Sequence, residues 1–392
     1  MNGDFEAMIK NSSRVDLALQ SGLHDNDQDL RREADRIREQ RKRSGFGELV
    51  GGLQCVIINT EPELQLAAVN ELIRYSGLKF SEEFQDEEHR TCVLKVPGEH
   101  PFLSADFLIR SRRKGNNPFQ EANDAPRSRN LPNTRLESFV FETFDIEKYV
   151  SLQSQANIEF QGDIEDLGNC YFIQTTPSQF TGNSLGFIEW KETRGKQGKQ
   201  GVYSSPLSQS VDFGIEATLS STRSHLANIL WLDHAATRVR AQDRNPAILE
   251  FMRLTNYDFD FAIYVKGLNS ITSVARLSHS DFAMVFTSGI APYISREISG
   301  PTEKFISNFG PRVHHIAFQT EKIEATVDAL EKDGMKFLLP LVGSPEKGLK
   351  QIFSQPSENT LLVTEYIHRY GDFDGFFTRS NVTKLTAATD KQ

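Results

Sequence analysis

The chain repeats itself, and this constrains its fold more than any single residue does. Residues 136–190 and 313–366 each run through a strand, an amphipathic helix and further strands. The first copy reads Leu136-Glu-Ser-Phe-Val-Phe-Glu-Thr143, a helix from Asp145, Ile173-Gln-Thr-Thr-Pro-Ser178, then Phe187-Ile-Glu-Trp190. The second reads Val313-His-His-Ile-Ala-Phe-Gln-Thr320, a helix from Lys322, Ile352-Phe-Ser-Gln-Pro-Ser357, then Val363-Thr-Glu-Tyr366. A fainter pair, 53–110 and 232–288, opens on Leu53-Gln-Cys-Val-Ile-Ile-Asn and Leu232-Asp-His-Ala-Ala, with helices predicted over 61–75 and 246–254. Self-similarity at this scale marks supersecondary units that bury their apolar faces only against one another. The expected architecture is α+β: four βαβββ modules paired into two barrel-like domains. A length of 392 residues suits two domains better than one core.

Composition shifts divide the chain. Residues 1–50 form an N-terminal extension whose stretch 25–43 is dense in Arg, Asp and Glu and reads as a solvated helix held by few apolar residues. The first domain spans 51–192, a Gly-, Lys- and Ser-rich linker spans 193–227, and the second domain spans 228–392 and ends in a short helix over 383–389. Net charge is −9, which argues against nucleic acid as a partner, since phosphate binding needs basic surface. No apolar stretch approaches membrane-spanning length, so no membrane association is expected. Three widely spaced cysteines (Cys55, Cys92 and Cys170) and the absence of a basic, apolar leader point to a reducing, cytoplasmic setting. Homo-oligomerisation is left open.

The repeat supplies an internal control for function. Three apolar, strand-like stretches of the second half carry His234, His315 and Glu365. Two imidazoles and one carboxylate bind one face of a divalent ion and leave the other open. Matching the modules sets Cys55, Ser138 and Glu189 against those positions, a poor divalent donor set. The first domain is therefore expected to be metal-free and the second to hold the metal. Strand alternation sets Asp233 and His314 on the faces opposite their neighbouring histidines, so Asp233 is not expected to orient a ligand and His314 is expected to be structural, with support of the neighbouring histidine as the lesser alternative.

At this point the second half resembles the 4-hydroxyphenylpyruvate dioxygenase family of the vicinal oxygen chelate superfamily. The matching segments are Leu-Asp-His at 232–234, Gly267-Leu-Asn-Ser270, Val313-His-His-Ile-Ala-Phe318, Gln351-Ile-Phe353 with Pro356, Thr364-Glu-Tyr-Ile-His-Arg369, and Gly375-Phe376 with Asn381, in the family's order. The first half matches only in module layout. The resemblance implies His234, His315 and Glu365 as catalytic ligands of Fe(II), and Ser270, Gln351, Phe353 and Asn381 as substrate-binding positions. It further implies a dioxygenase that takes an aromatic 2-oxo acid and O₂, decarboxylates the acid oxidatively and hydroxylates it, as in aromatic amino acid metabolism. Several positions depart from the family pattern: His314 stands for Gln, Ile290 for Asn, Val382 and Val363 for Phe. Such changes remodel the part of the pocket that reads the substrate's ring. Two alternatives carry the same modules: an extradiol ring-cleaving dioxygenase and a non-catalytic small-molecule-binding protein. Against the first, the run into Glu365 lacks that family's Tyr and Asp-Pro pattern, and no further active-site His is evident. The tail after residue 376 follows the Glu365 strand and is placed to gate the open metal face.

Overall fold

The computed structural model describes residues 26–97, 105–191, 202–204, 208–210, 223–371, 373 and 375–392. The first 25 residues of the extension and most of the linker at 193–227 lie outside the described residues. Helix α1 (Gln28–Ser44) precedes the first module, which comprises β1 (Val50–Thr60), α2 (Gln65–Ser76), β2 (Lys79–Gln85), β3 (His89–Lys95) and β4 (Asp106–Arg112). The second comprises β5 (Arg135–Thr143), α3 (Ile146–Gln155), β6 (Glu165–Asp166), β7 (Cys170–Gln174) and β8 (Ser184–Trp190), followed by a two-residue strand β9 (Gln209–Ser210). The third runs β10 (Ile229–Arg238), α4 (Arg244–Leu254), β11 (Asp258–Val265), β12 (Ser270–Arg276) and β13 (Ala283–Ser288), and α5 (Pro301–Phe309) leads out of it. The fourth runs β14 (Arg312–Thr320), α6 (Ile323–Lys332), β15 (Val342–Ser344), β16 (Leu349–Phe353) and β17 (Val363–Arg369), and the tail helix is α7 (Arg379–Ala388). That helix starts four residues before the predicted one, because the Thr378 side chain caps it by accepting the Asn381 N–H.

The four modules pair as the repeat requires. One curled sheet has the order β6-β7-β8-β5-β1-β4-β3-β2-β9, the other β11-β12-β13-β10-β14-β17-β16-β15. Without β9, each sheet is the other's topology read from the opposite edge. In both, the two opening strands run antiparallel at the centre, and each pairs in parallel with the last strand of its own module.

Alternation gives each sheet two faces of different character. One face, with Val56, Ile58, Phe139, Phe141, Ile316 and Phe318, packs on the helices and on the partner sheet in a single apolar cluster. Ring contacts cross between the halves within it, Phe107 to Phe318 at 5.8 Å and Phe141 to Phe251 at 5.8 Å. The opposite face lines the inside of each curl. In the first half that interior is apolar, with Cys55, Ile57, Val93, Leu108, Val140 and Phe172 packed together. Tyr203 from the linker fills it further, donating from its hydroxyl to Asp106 at 2.8 Å. In the second half the interior holds His234, His315 and Glu365 among apolar clusters that include Ala236, Val285 and Phe376 and Val342, Phe353 and Leu385. Helix α7 lies between the sheet's two edge strands, contacting β11 and β15.

Both curls carry β-bulges at matching places. Leu232 opposes Phe318 and His234 opposes Ala317, so Asp233 is an extra residue in β10. Ala236 opposes His315 and Thr237 opposes Val313, so His314 is an extra residue in β14. The first half repeats this at Gln54 and Glu137. A bulge interrupts alternation and re-aims the neighbouring side chain.

Helix α1 has the two faces expected of it, a charged outer one and an inner one with few apolar residues. Its outer face is charged and solvated, with Arg32–Asp29, Arg36–Glu33 and Arg38–Asp35 pairs. On its inner face Leu30, Ala34 and Ile37 are buried, and the helix packs against α4 and β11 of the second half. Arg41 fixes it by donating to the backbone oxygens of Thr255 at 2.8 Å and Tyr257 at 3.2 Å.

Candidate metal centre

His234 on β10, His315 on β14 and Glu365 on β17 converge inside the second curl, all three buried. The central strand pairings dictate this. β10 and β14 are antiparallel neighbours, and β17 lies beside β14 in a register that pairs Glu365 with Ala317, two residues beyond His315. The Glu365 Oε2 atom lies 3.0 Å from His234 Nε2 and 3.3 Å from His315 Nε2. Donor atoms bound about 2.1 Å from one ion at right angles stand about 3 Å apart, so these residues fit a single cation on one face of its coordination sphere.

The structure corrects the reading of Asp233 and His314. Asp233 does not point away from His234; the bulge turns it back, and the His234 Nδ1–H donates to Asp233 Oδ2 at 2.7 Å. Arg369 donates to the same carboxylate, at 3.0 Å from Nη2 to Oδ2, and holds it. His314 likewise turns toward His315, with their Nδ1 atoms 2.8 Å apart, and its Nε2–H donates to Gln392 Oε1 at 2.8 Å. With that proton on His314 Nε2, His314 Nδ1 accepts from His315 Nδ1 and leaves the His315 Nε2 lone pair facing Glu365. Each imidazole of the set is therefore oriented through Nδ1 by the residue just before it, the arrangement by which ligand histidines are held in one tautomer. Sequence alternation hid both partners.

Electrostatics follow from these contacts. Burial disfavours a charged His234, but Glu365 and Asp233 outweigh it and raise its pKa to about 9. Burial, reinforced by His314, His234 and Arg238, holds His315 well below the usual histidine range. Burial and Arg238 hold His314 well below that range too. A divalent cation at the convergence point would take the place of a proton between His234 and Glu365.

The four other expected positions differ in placement. Gln351 and Phe353 line the cavity at the metal centre together with His315 and Glu365. The Gln351 Nε2 donates to Glu365 Oε1 at 2.6 Å, and Asn381 on α7 donates to Gln351 Oε1 at 3.0 Å. Both amides are thus committed in a relay from the tail helix to the metal-facing carboxylate. Phe353 packs on the His315 ring at 4.7 Å. Ser270 stands behind the wall, its hydroxyl 3.5 Å from that of Thr302, which lines the cavity. Phe376 and Phe377 pack edge-on to His234 at 5.5 and 5.2 Å. The free volume left is about 50 Å³. A cleft of about 800 Å³ elsewhere, lined by Pro118, Pro177, Arg240 and Pro311, contains none of the three metal-facing groups.

The sister site needs one correction. Cys55 and Ser138 do occupy the places of His234 and His315, since both register sets match. Glu189 does not occupy the place of Glu365. Val140 pairs with Gly186 just as Ala317 pairs with Glu365, so Gly186 is the counterpart. The turns agree: Gly182 N–H donates to Ser178 O at 2.8 Å, and Leu361 N–H donates to Ser357 O at 2.9 Å. Equal turns keep the spacing from Pro177 to Gly186 equal to that from Pro356 to Glu365. A Cβ on Gly186 would meet Val140 Cγ2 at 2.9 Å and Phe172 Cε2 at 3.0 Å, so apolar atoms fill the carboxylate's place. Burial, and then Asp106, pushes the Cys55 thiol up and keeps it protonated.

No family model and no curated protein sequence matches the chain. Solved structures do. A triple mutant of 4-hydroxymandelate synthase from Streptomyces coelicolor is similar with a TM-score of 0.64 at 14% identity, over 88% of this chain and 99% of that one. A fusion protein of a xylose isomerase-like TIM barrel and 4-hydroxyphenylpyruvate dioxygenase is similar with a TM-score of 0.59 at 14% identity, over 92% of this chain and 57% of that one. The likeness is one of fold, and it extends over both halves of this chain. Among the described residues, no helix is long and apolar enough to cross a membrane.

Proposed function

We propose that the chain is a mononuclear non-haem Fe(II) dioxygenase that decarboxylates and hydroxylates a 2-oxo acid, with His234, His315 and Glu365 as ligands. The observation that carries the reading is the convergence of one carboxylate oxygen on two imidazole nitrogens, at 3.0 and 3.3 Å, inside a curl whose sister is packed solid. The fold it shares with a hydroxymandelate synthase supports it. Fe(II) bound there would supply a site where a chelating substrate and O₂ meet.

The chain's own residues do the rest. Asp233 and His314 keep the Nε2 lone pairs of His234 and His315 inward. Gln351 holds Glu365 Oε1 and so turns Oε2 toward the imidazoles. Phe353, Phe376 and Phe377 exclude water around the centre. A volume of about 50 Å³ is far below the roughly 300 Å³ of a small-molecule pocket, so substrate entry requires α7 to move. The Asn381–Gln351 bond ties that motion to the carboxylate. Ring cleavage of a catechol is the weaker reading. His314 is a further histidine at the cavity, contrary to expectation, but His315 and Gln392 occupy both its nitrogens.

The test is anaerobic loading with Fe(II) and titration with 2-oxo acids and with catechols. The proposal expects one Fe(II) per chain, a visible charge-transfer band with a 2-oxo acid, and O₂-dependent CO₂ release. Retention of metal by His315→Ala, or ring-opened product from a catechol without CO₂, would reject it.

A further inference from the structure

Arg238 closes β10, and alternation along that strand sets His234, Ala236 and Arg238 on one face, toward the interior of the curl. The side chain is 4% exposed and lines the same cavity as His315 and Glu365. Its Nη1 has no hydrogen-bond partner among the described residues. Its guanidinium stacks over the Phe305 ring at 4.4 Å, a cation–π contact that supplies no hydrogen-bond acceptor. Burial lowers its pKa to about 9, with no carboxylate among the described residues to offset the cost.

Among the other arginines of the second half, Arg312 also leaves Nη1 without a partner, but it donates from Nη2 to Thr134 O and does not line the cavity. Arg244 donates to Asp27 at 2.7 Å, and Arg369 is paired with Asp233. A buried guanidinium with an open N–H and no anion destabilises a fold unless something else pairs with it. Around it, Thr272, Thr287, Thr302 and Thr386 give the wall hydroxyl groups rather than more apolar surface. Four residues of strand separate Arg238 from His234, about 13 Å between Cα atoms, so the guanidinium enters the curl at a different level from that residue, although its charge still reaches His314 and His315.

We propose that Arg238 binds a second carboxylate of the substrate, so that the ligand is a 2-oxo acid carrying another anionic group at the end away from its 2-oxo-carboxylate. This rests on the 2-oxo-acid reading above for the metal end only. A planar guanidinium offers the forked pair of N–H donors that a carboxylate accepts. The polar cavity end also accounts for the pocket's departure from a site built for an aromatic ring.

The experiment uses the full chain loaded with Zn(II) as a redox-inert ion, titrated calorimetrically with 2-oxoadipate, 2-oxosuberate and 2-oxohexanoate. At least one dicarboxylate should bind about 30-fold or more tightly than 2-oxohexanoate, the scale of a charge-assisted buried contact. Arg238→Met should erase that preference, leave 2-oxohexanoate binding unchanged and raise the melting temperature; Arg238→Lys should restore part of the preference. Equal affinity for charged and uncharged tails in the wild type, or an equal loss for 2-oxohexanoate in Arg238→Met, overturns the proposal. A second arm follows thermal melting of the metal-free protein with adipate. If Zn(II) or the 2-oxo group contributes nothing, the metal-end reading fails. Stabilisation by adipate that Arg238→Met abolishes still upholds the anion site, and its absence overturns that too.

Discussion

Replacing Asp233 by Asn isolates what the β10 bulge does for the proposed metal centre. In the wild type this carboxylate accepts the His234 Nδ1–H at 2.7 Å and the Arg369 Nη2–H at 3.0 Å. Burial works against its charge, but Arg369 and His234 outweigh that and hold its pKa well below the usual carboxylate range. An Asn of the same shape can offer one oxygen to His234, but its amide N–H₂ then faces the guanidinium. His234 keeps its tautomer imperfectly, and loss of such an outer partner weakens metal binding about 10- to 100-fold, or about 1.4 to 2.7 kcal/mol. Arg369 loses its counter-charge as well, so stability should fall by about 3 kcal/mol. Competition between the protein and a chromophoric chelator for Co(II) measures the first quantity, and urea unfolding without metal measures the second. Glu189→Gln is the control. Glu189 accepts the Ile146 N–H at 2.7 Å in the first half and should leave metal affinity unchanged. Wild-type affinity in a folded Asp233→Asn protein would refute the orienting role.

Other outcomes follow from different parts of the molecule. Glu303 accepts the N–H groups of Ala241, Gly289 and Tyr293, yet burial raises its pKa from 4.5 to about 7. A carboxyl raised on folding holds its proton better in the native chain, so its contribution is most favourable below the unfolded value and declines as pH climbs through about 7. That amounts to about 3 kcal/mol. Glu303→Gln should flatten this slope in denaturant titrations at pH 5 and 8, and an unchanged slope would contradict the assignment. Removing residues 379–392 deletes α7, including the buried Asn381, Val382 and Leu385. It should cost about 3 kcal/mol of stability, spare metal stoichiometry and uncouple O₂ consumption from hydroxylation. Coupled turnover in the truncated protein would remove the lid. A Cys55→His, Ser138→His, Gly186→Glu triple variant should still bind one metal per chain by elemental analysis, since Phe172 and Val140 crowd the new side chain. A second equivalent would count against that packing argument.

The sequence by itself determined the module count and the three residues that converge inside the second curl. Both follow from local chemistry: residue type, strand alternation and the recurrence of one supersecondary unit. Tertiary structure alone decided which neighbours serve those residues. Asp233 and His314 join the site because each is an extra residue against its partner strand, and a bulge is a property of a strand pair, invisible in either strand alone. The same limit misassigned Glu189, since only the register of β5 against β8 identifies Gly186 as the counterpart of Glu365. Arg238 lay within reach of alternation from His234, but its want of a partner emerges only when every surrounding wall is in place. Patterns along a chain specify faces; the closing of one curl around polar groups and of the other around apolar ones specifies the site.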